Sequence, residues 1–358
     1  MAIGAGTVTL ADYALMSNQP LVQAVTMSLI NYGNVIQDIP LVPRQTLQVN
    51  GVRWEGNLPT PNWVPLNSEG TSVHGQPTPY QEQAYIVRNY VDVDKYIVLD
   101  QNQIVEPRGT QTNAFLQGLT YDINNKFFKN AHDGTGDANA PVGLRARLDD
   151  AASANKFGVR PENKIDAGGL DISQATLVTT PSNGNKLIEL IDQLLWSVDA
   201  IDGAGGNVVL YMNDNMRRRF HFALRALGTQ GGLDESKDMF QRVIQSYKGA
   251  VIRDPGVKAD QTTRIILGPA QADISGQNGE TATGADGSTN TTPNYTSIYA
   301  VNYGTDHFFG WQFTEGPNVQ DLGLINNGAI YRTLIDWAVG LINTSTRSIG
   351  RLYDIKIS

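Results

Sequence analysis

Six prolines (Pro43, Pro59, Pro61, Pro65, Pro77 and Pro79) are spread through residues 41–80, and together they remove the α-helix as an option there. Around them Leu47, Val49, Val52 and Trp54 alternate loosely, and Asn50-Gly51 is by itself a strong hairpin signal. The chain returns through residues 83–94, where Tyr85, Val87 and Asn89 alternate with Ile86, Arg88 and Tyr90. The reading is a long two-stranded excursion over residues 41–92, with an irregular tip around 56–79. Two strands alone bury too little surface to be stable in water. Something else must cover them.

The segments on either side are ordinary by comparison. Ser17-Asn18-Gln19-Pro20 starts a short helix carrying Leu21, Val25 and Leu29, with Gly33 as its stop, after an extended leader. The clearest helix spans 112–130: Phe115, Leu119, Ile123 and Phe127 recur at spacing four, and Leu116 and Phe128 widen the stripe. Residues 176–315 read as α/β. Ser182 or Asn183 caps a helix with Leu187, Ile191, Leu194 and Val198 inward, and Val208–Met212 is a strand buried on both faces. Asn213 caps the next helix, which turns Met216, Phe220, Leu224 and Leu227 inward. Ala250–Ile252, Thr263–Leu267, Ser297–Val301 and Phe308–Phe313 read as strands, and 275–294 as an exposed polar loop. The tail reads as an antiparallel hairpin: Ile335, Trp337, Val339 and Leu341 share one face, and Tyr353, Ile355 and Ile357 return after a turn at 343–347.

Chemistry is conspicuously missing. With no Cys, disulfides, thiolate metal sites and cysteine nucleophiles are excluded. His74, His132, His221 and His307 form no metal-binding motif, and no phosphate loop, dinucleotide fingerprint or nucleophile elbow occurs. Residues 133–139 place oxygens at alternate positions like half a calcium loop, but the twelfth position is Leu144, so a turn is expected. Arg217-Arg218-Arg219 is read as a solvated helix face or subunit contact, since a net charge of −8 opposes a general nucleic-acid grip. Neither a secretion signal nor an apolar run of membrane-spanning length is found, so no membrane role is expected. A chain this long without a catalytic constellation is expected to be structural, with no catalytic residues, cofactor or metal.

The serial order is arm, proline-rich excursion, long helix, α/β region and closing strands. It resembles the major capsid protein of tailed bacteriophages, the HK-ninety-seven-like fold shared with encapsulins. Residues 10–21 resemble that family's N-arm opening; Leu58-Pro59 and Trp63–Glu69 resemble its E-loop, and Val91–Asp94 the return into the body. Phe127–Asn130 followed by Val142–Leu144 resembles the end of its spine helix. The resemblance implies an α+β fold with an N-arm (1–40), an E-loop (41–92), a P-domain (93–175 with the spine helix, plus closing strands 316–358) and an A-domain (176–315). It implies self-assembly as hexamers and pentamers into an icosahedral virion head, assembled in the host cytoplasm and enclosing double-stranded DNA that the shell contacts non-specifically. A separate scaffolding protein, a portal and a decoration protein are the partners it suggests. Trp54, Leu58, Pro59, Trp63, Leu66 and Tyr80 are the expected subunit-interface residues. Some family members weld their shells by an isopeptide bond from an E-loop lysine, but no Lys lies between residues 1 and 94. Two readings compete: an encapsulin-like compartment, and a β-rich hydrolase or carbohydrate binder whose acids the sequence does not pair.

Overall fold

The computed structural model describes residues 34–53, 58–75, 77–99, 107–132, 136–150, 156–198, 207–226, 233–237, 243–267, 295–313, 316–326 and 328–357. The expected helix after Ser17, the polar loop at 275–294, Trp54 and Leu227 lie outside them. The first half runs α1 (Asn34–Asp38), β1 (Leu41–Pro43), β2 (Gln48–Arg53), β3 (Thr78–Gln83), β4 (Tyr85–Asp94), α2 (Lys95–Leu99), α3 (Pro107–Lys129), α4 (Leu144–Asp150) and β5 (Lys164–Asp171). It continues through α5 (Gln174–Thr179), α6 (Ser182–Ser197), β6 (Asn207–Tyr211), α7 (Asp214–Ala226), β7 (Leu233–Lys237), β8 (Val243–Tyr247) and β9 (Ala250–Arg253). The closing strands are β10 (Tyr295–Tyr303), β11 (Phe308–Gln312), β12 (Asn318–Ile325), β13 (Ile330–Asn343) and β14 (Ile349–Lys356).

A mixed sheet runs β5-β14-β10-β6-β9-β8-β7. Alternate residues of β6 serve opposite cores, which is why its sequence shows no alternation. Leu210 and the following Met212 join the α6 and α7 side with Leu187, Ile191, Leu194, Met216, Phe220 and Leu224. Val209 and Tyr211 face the other side with Phe127, Phe128, Leu144 and Trp337. The expected inward residues of α6 and α7 are therefore core wherever the structure describes them. Asn213 caps α7 as expected, its Oδ1 accepting from the Met216 N–H at 2.6 Å. Neither Ser182 nor Asn183 caps α6. That helix begins after Pro181, and Asn183 instead donates to the Asp171 carbonyl.

A second region is built on β13. Its first half lies between β4 and β12, and its last residues pair with β11. The α3 helix lies across it. Leu116 and Leu119 pack with Val319 and Ile335, while Phe127 packs with Trp337, Val339 and Leu341. The stripe is rotated slightly from the expected one: Leu116 and Phe128 are buried, whereas Phe115 and Ile123 are only half-buried. At the end of α3, the Asn130 side-chain amide holds the Asp137, Ala140 and Pro141 carbonyls, and the Asp137 carboxylate pairs with Lys126 at 2.6 Å. The described part of the calcium-like stretch is thus a turn.

One local signal is not followed, and two expectations are overturned. Asn50-Gly51 is not a turn but the middle of β2, opposite Gln81 and Tyr80; a Cβ on Gly51 would lie 2.5 Å from the Tyr80 ring, which fills the space. Thr263–Leu267 is not a strand. Arg264 makes one isolated bridge with Val257, and Ile265, Ile266 and Leu267 are buried without ladder partners. The tail is not a hairpin: β13 and β14 part company, and β14 inserts between β10 and β5. Asp354, with φ of 62°, breaks the alternation of β14 opposite Gly168 and Gly169, whose φ values are also positive. Leu352, not Tyr353, consequently shares the buried face with Ile355 and Ile357.

Candidate assembly interface

Strands β2 and β3 form a separate two-stranded sheet, from Gln48 opposite Gln83 out to Arg53 opposite Thr78. Beyond it, residues 58–75 carry no regular strand or helix. The return is shorter than the alternation at 83–94 predicts, because Tyr85–Asp94 leaves the ribbon and pairs with β13. The arm therefore ends at Ala84, whose N–H donates to the Leu47 carbonyl at 2.7 Å.

The tip presents apolar side chains to solvent. Trp63 is 98% exposed and Leu66 93%, with Leu58 at 63% and Pro59 also exposed. Proline denies this segment a helix, and no element among the described residues covers it. A fully exposed Trp in a folded chain forgoes about 2–3 kcal/mol of burial unless another surface covers it. Tyr80 stands apart from this group: it is half-buried at the root, with the Arg53 guanidinium 4.2 Å from its ring centroid. Burial, ahead of the nearby Glu82 charge, pushes its hydroxyl pKa up. Of the expected interface residues, the structure thus brings Leu58, Pro59, Trp63 and Leu66 together on one exposed tip and places Tyr80 elsewhere.

The root is held by groups that spacing in the sequence does not reveal. Val49 is buried with Phe309, Trp311 and Ile342. Arg147 of α4 is 1% exposed and grips Glu82 of β3 through both guanidinium nitrogens, at 2.7 and 3.1 Å; it also donates to the Val142 and Leu341 carbonyls. Arg53, equally buried, donates to the Asn343 carbonyl at 2.9 Å. The arm thus consists of an exposed apolar tip on a hydrogen-bonded, buried root.

Alongside α3, the residues Ile36, Ile39, Ile123, Phe127, Trp337 and Leu341 line an apolar groove of about 270 Å³. Among the described residues no cluster of His, Asp or Glu could hold a metal ion, and no helix is long and apolar enough to cross a membrane.

No protein-family model and no curated protein matches the chain. Solved structures do. The SrpI encapsulin complex from Synechococcus elongatus aligns with a TM-score of 0.54 at 10% identity, over 96% of this chain and 94% of that one. The capsid of the myovirus phage XM1 aligns at 0.52 and 12% identity, over 87% and 89%. The capsid of the native GTA particle aligns at 0.51 and 12% identity, over 99% and 94%. These alignments cover most of the chain, and the chain has the HK-ninety-seven-like fold of tailed-phage capsid proteins.

Proposed function

We propose that this protein is the major capsid protein of a tailed phage, assembling through its arm into an icosahedral head around double-stranded DNA. The observation that carries the reading is the arm itself: an exposed apolar tip on an anchored root, in a chain most of whose length aligns with shell proteins of this fold. In this reading residues 1–40 are the N-arm, 41–92 the E-loop, 93–175 with 316–358 the P-domain, and 176–315 the A-domain. Trp54, Leu58, Pro59, Trp63, Leu66 and Tyr80 contact a neighbouring subunit, with Tyr80 at the root. Closed symmetric shells multiply a modest contact many times over, so no single interface needs to be large. Hexamers and pentamers of the chain are the working units, with a scaffolding protein, a portal and a decoration protein as partners in the virion. The role is structural rather than catalytic.

The encapsulin alignment favours a second reading, a protein compartment of the same fold. Electron microscopy of particles purified from expressing cells, with nuclease-protected DNA measured in the same fractions, separates the two. DNA-filled icosahedral heads support the first reading, and particles filled with protein the second. A monodisperse monomer that never forms particles overturns both.

Two further outcomes are expected. Deleting residues 56–79 should leave a soluble, folded subunit that forms no regular shells, because Glu82 and Arg147, which hold the root, lie outside the deleted stretch. Normal particles from that deletion would remove the arm from assembly. Particles heated in denaturing detergent should run as a single band near 39 kDa, because the first lysine of the chain is Lys95. A ladder of higher-mass oligomers would show a covalent link of another kind.

A further inference from the structure

A further groove lies neither at the arm nor beside α3. It measures about 610 Å³ and is lined by Gln174, Asn215, Arg217, Arg218, Arg219, His221, Phe222, Arg225 and Gln245. Four of the nine are arginines and none is a carboxylate, on a chain whose acids outnumber its bases by 35 to 27. Asp214 at the start of α7 pairs with two of the four, Arg218 at 2.7 Å and Arg217 at 3.5 Å, and the Asp254 carboxylate lies within charge range of Arg217. Arg219 reaches the Gln174 side chain at 3.5 Å. Arg218, His221, Phe222 and Arg225 recur at three- and four-residue spacing, so they follow one face of α7 with about 5.4 Å between turns. Arg218 is 68% exposed and Arg225 is also exposed.

Four guanidiniums remain charged at any physiological pH; Asp214 offsets part of that charge, and an anion with several charges would offset the rest. We propose that this groove is a contact for the phosphate backbone of nucleic acid, with Arg218 and Arg225 each taking a phosphate. The inference rests on the shell reading, in which subunits face packaged DNA. Guanidinium forks match phosphate oxygens in pairs, and the Asn215, Gln174 and Gln245 amides add neutral donors beside them. Arg218 and Arg225 stand two turns apart on one face rather than converging on one point, which suits two separate charges of a strand better than a single small anion. No base-reading element is implied, so binding is independent of sequence.

The test uses full-length, unassembled subunit and a fluorescein-labelled DNA duplex of about 30 base pairs, read by anisotropy across a salt series. Each phosphate neutralised contributes about −0.9 to the slope of log K against log salt. Arg218→Gln with Arg225→Gln should weaken binding at least tenfold and flatten that slope by about 2. Arg225→Gln alone should flatten it by about 1, and the double lysine variant should keep most of it. Absence of DNA binding by the natural chain, or an unchanged slope in folded Gln variants, overturns the inference. So does stronger competition by polyglutamate than by unlabelled DNA at equal charge, which would assign the groove to an acidic protein surface. Particle formation is scored separately: shells with an unchanged slope sink this site alone, whereas failure of the natural chain to form shells sinks the reading beneath it.

Discussion

Arg147→Met is expected to destabilise the unassembled subunit by about 3–5 kcal/mol, because it strands the Glu82 carboxylate in a buried site without its counter-charge. Against a typical total of about 5–15 kcal/mol this is enough to unfold much of the population. Glu82 belongs to β3 and Arg147 to α4, so the loss should also loosen the arm root before the rest of the chain. Arg147→Met combined with Glu82→Leu removes both charges and should recover most of the stability, since an apolar pair of similar volume carries no desolvation cost. Urea unfolding of the two singles and the double closes the cycle. A single-mutant cost below about 1 kcal/mol would mean that water reaches the pair and that the root is not fixed by it.

Phe127→Ala is expected to cost about 3–5 kcal/mol, from lost apolar transfer and the cavity left behind. Phe127 is 2% exposed and meets Phe128, Tyr211 and Phe308 edge-on, with ring centroids 5.0, 6.4 and 6.0 Å away. It therefore joins α3 to both the mixed sheet and β13, and collapse around the missing ring is blocked from two directions. Denaturant unfolding of the unassembled subunit and particle yield should fall together. Retained stability with failed shells would mean that the stripe faces a neighbouring subunit. Unchanged stability and normal shells would remove Phe127 from the core.

What periodicity can report, it reported well here. The α3 stripe, the inward residues of α6 and α7 and the two-faced burial of β6 are local patterns, each repeating within one element. Pairing between distant strands is not local. Nothing near Ile349 says that β14 will lie between β10 and β5 rather than back along β13, and nothing near Glu82 points to Arg147, 65 residues later. Asn50-Gly51 failed for the opposite reason: the local signal was strong, but the turn it invites would have placed Val49 away from Trp311. Gly168-Gly169 was the overlooked signal, since paired glycines inside a strand commonly mark a bulge. At the candidate interface, the proline spacing marked 56–79 as an irregular tip, and Leu58, Trp63 and Leu66 are exposed there. That spacing carried no information about Arg53, whose buried bond to Asn343 spans 290 positions.

The fourteen-residue strand β13 has a mechanical consequence. Along one edge β12 gives way to β11, with the Phe313 N–H still donating to the Ala338 carbonyl across the junction, while β4 runs unbroken along the other edge from Ile330 to Val339. A pull along the direction of β13 loads these rows of hydrogen bonds together, in shear. A pull across it would open them one at a time, like a zip. Tension along the strand is thus shared by many bonds before any breaks, and these ladders are weakest at right angles to β13.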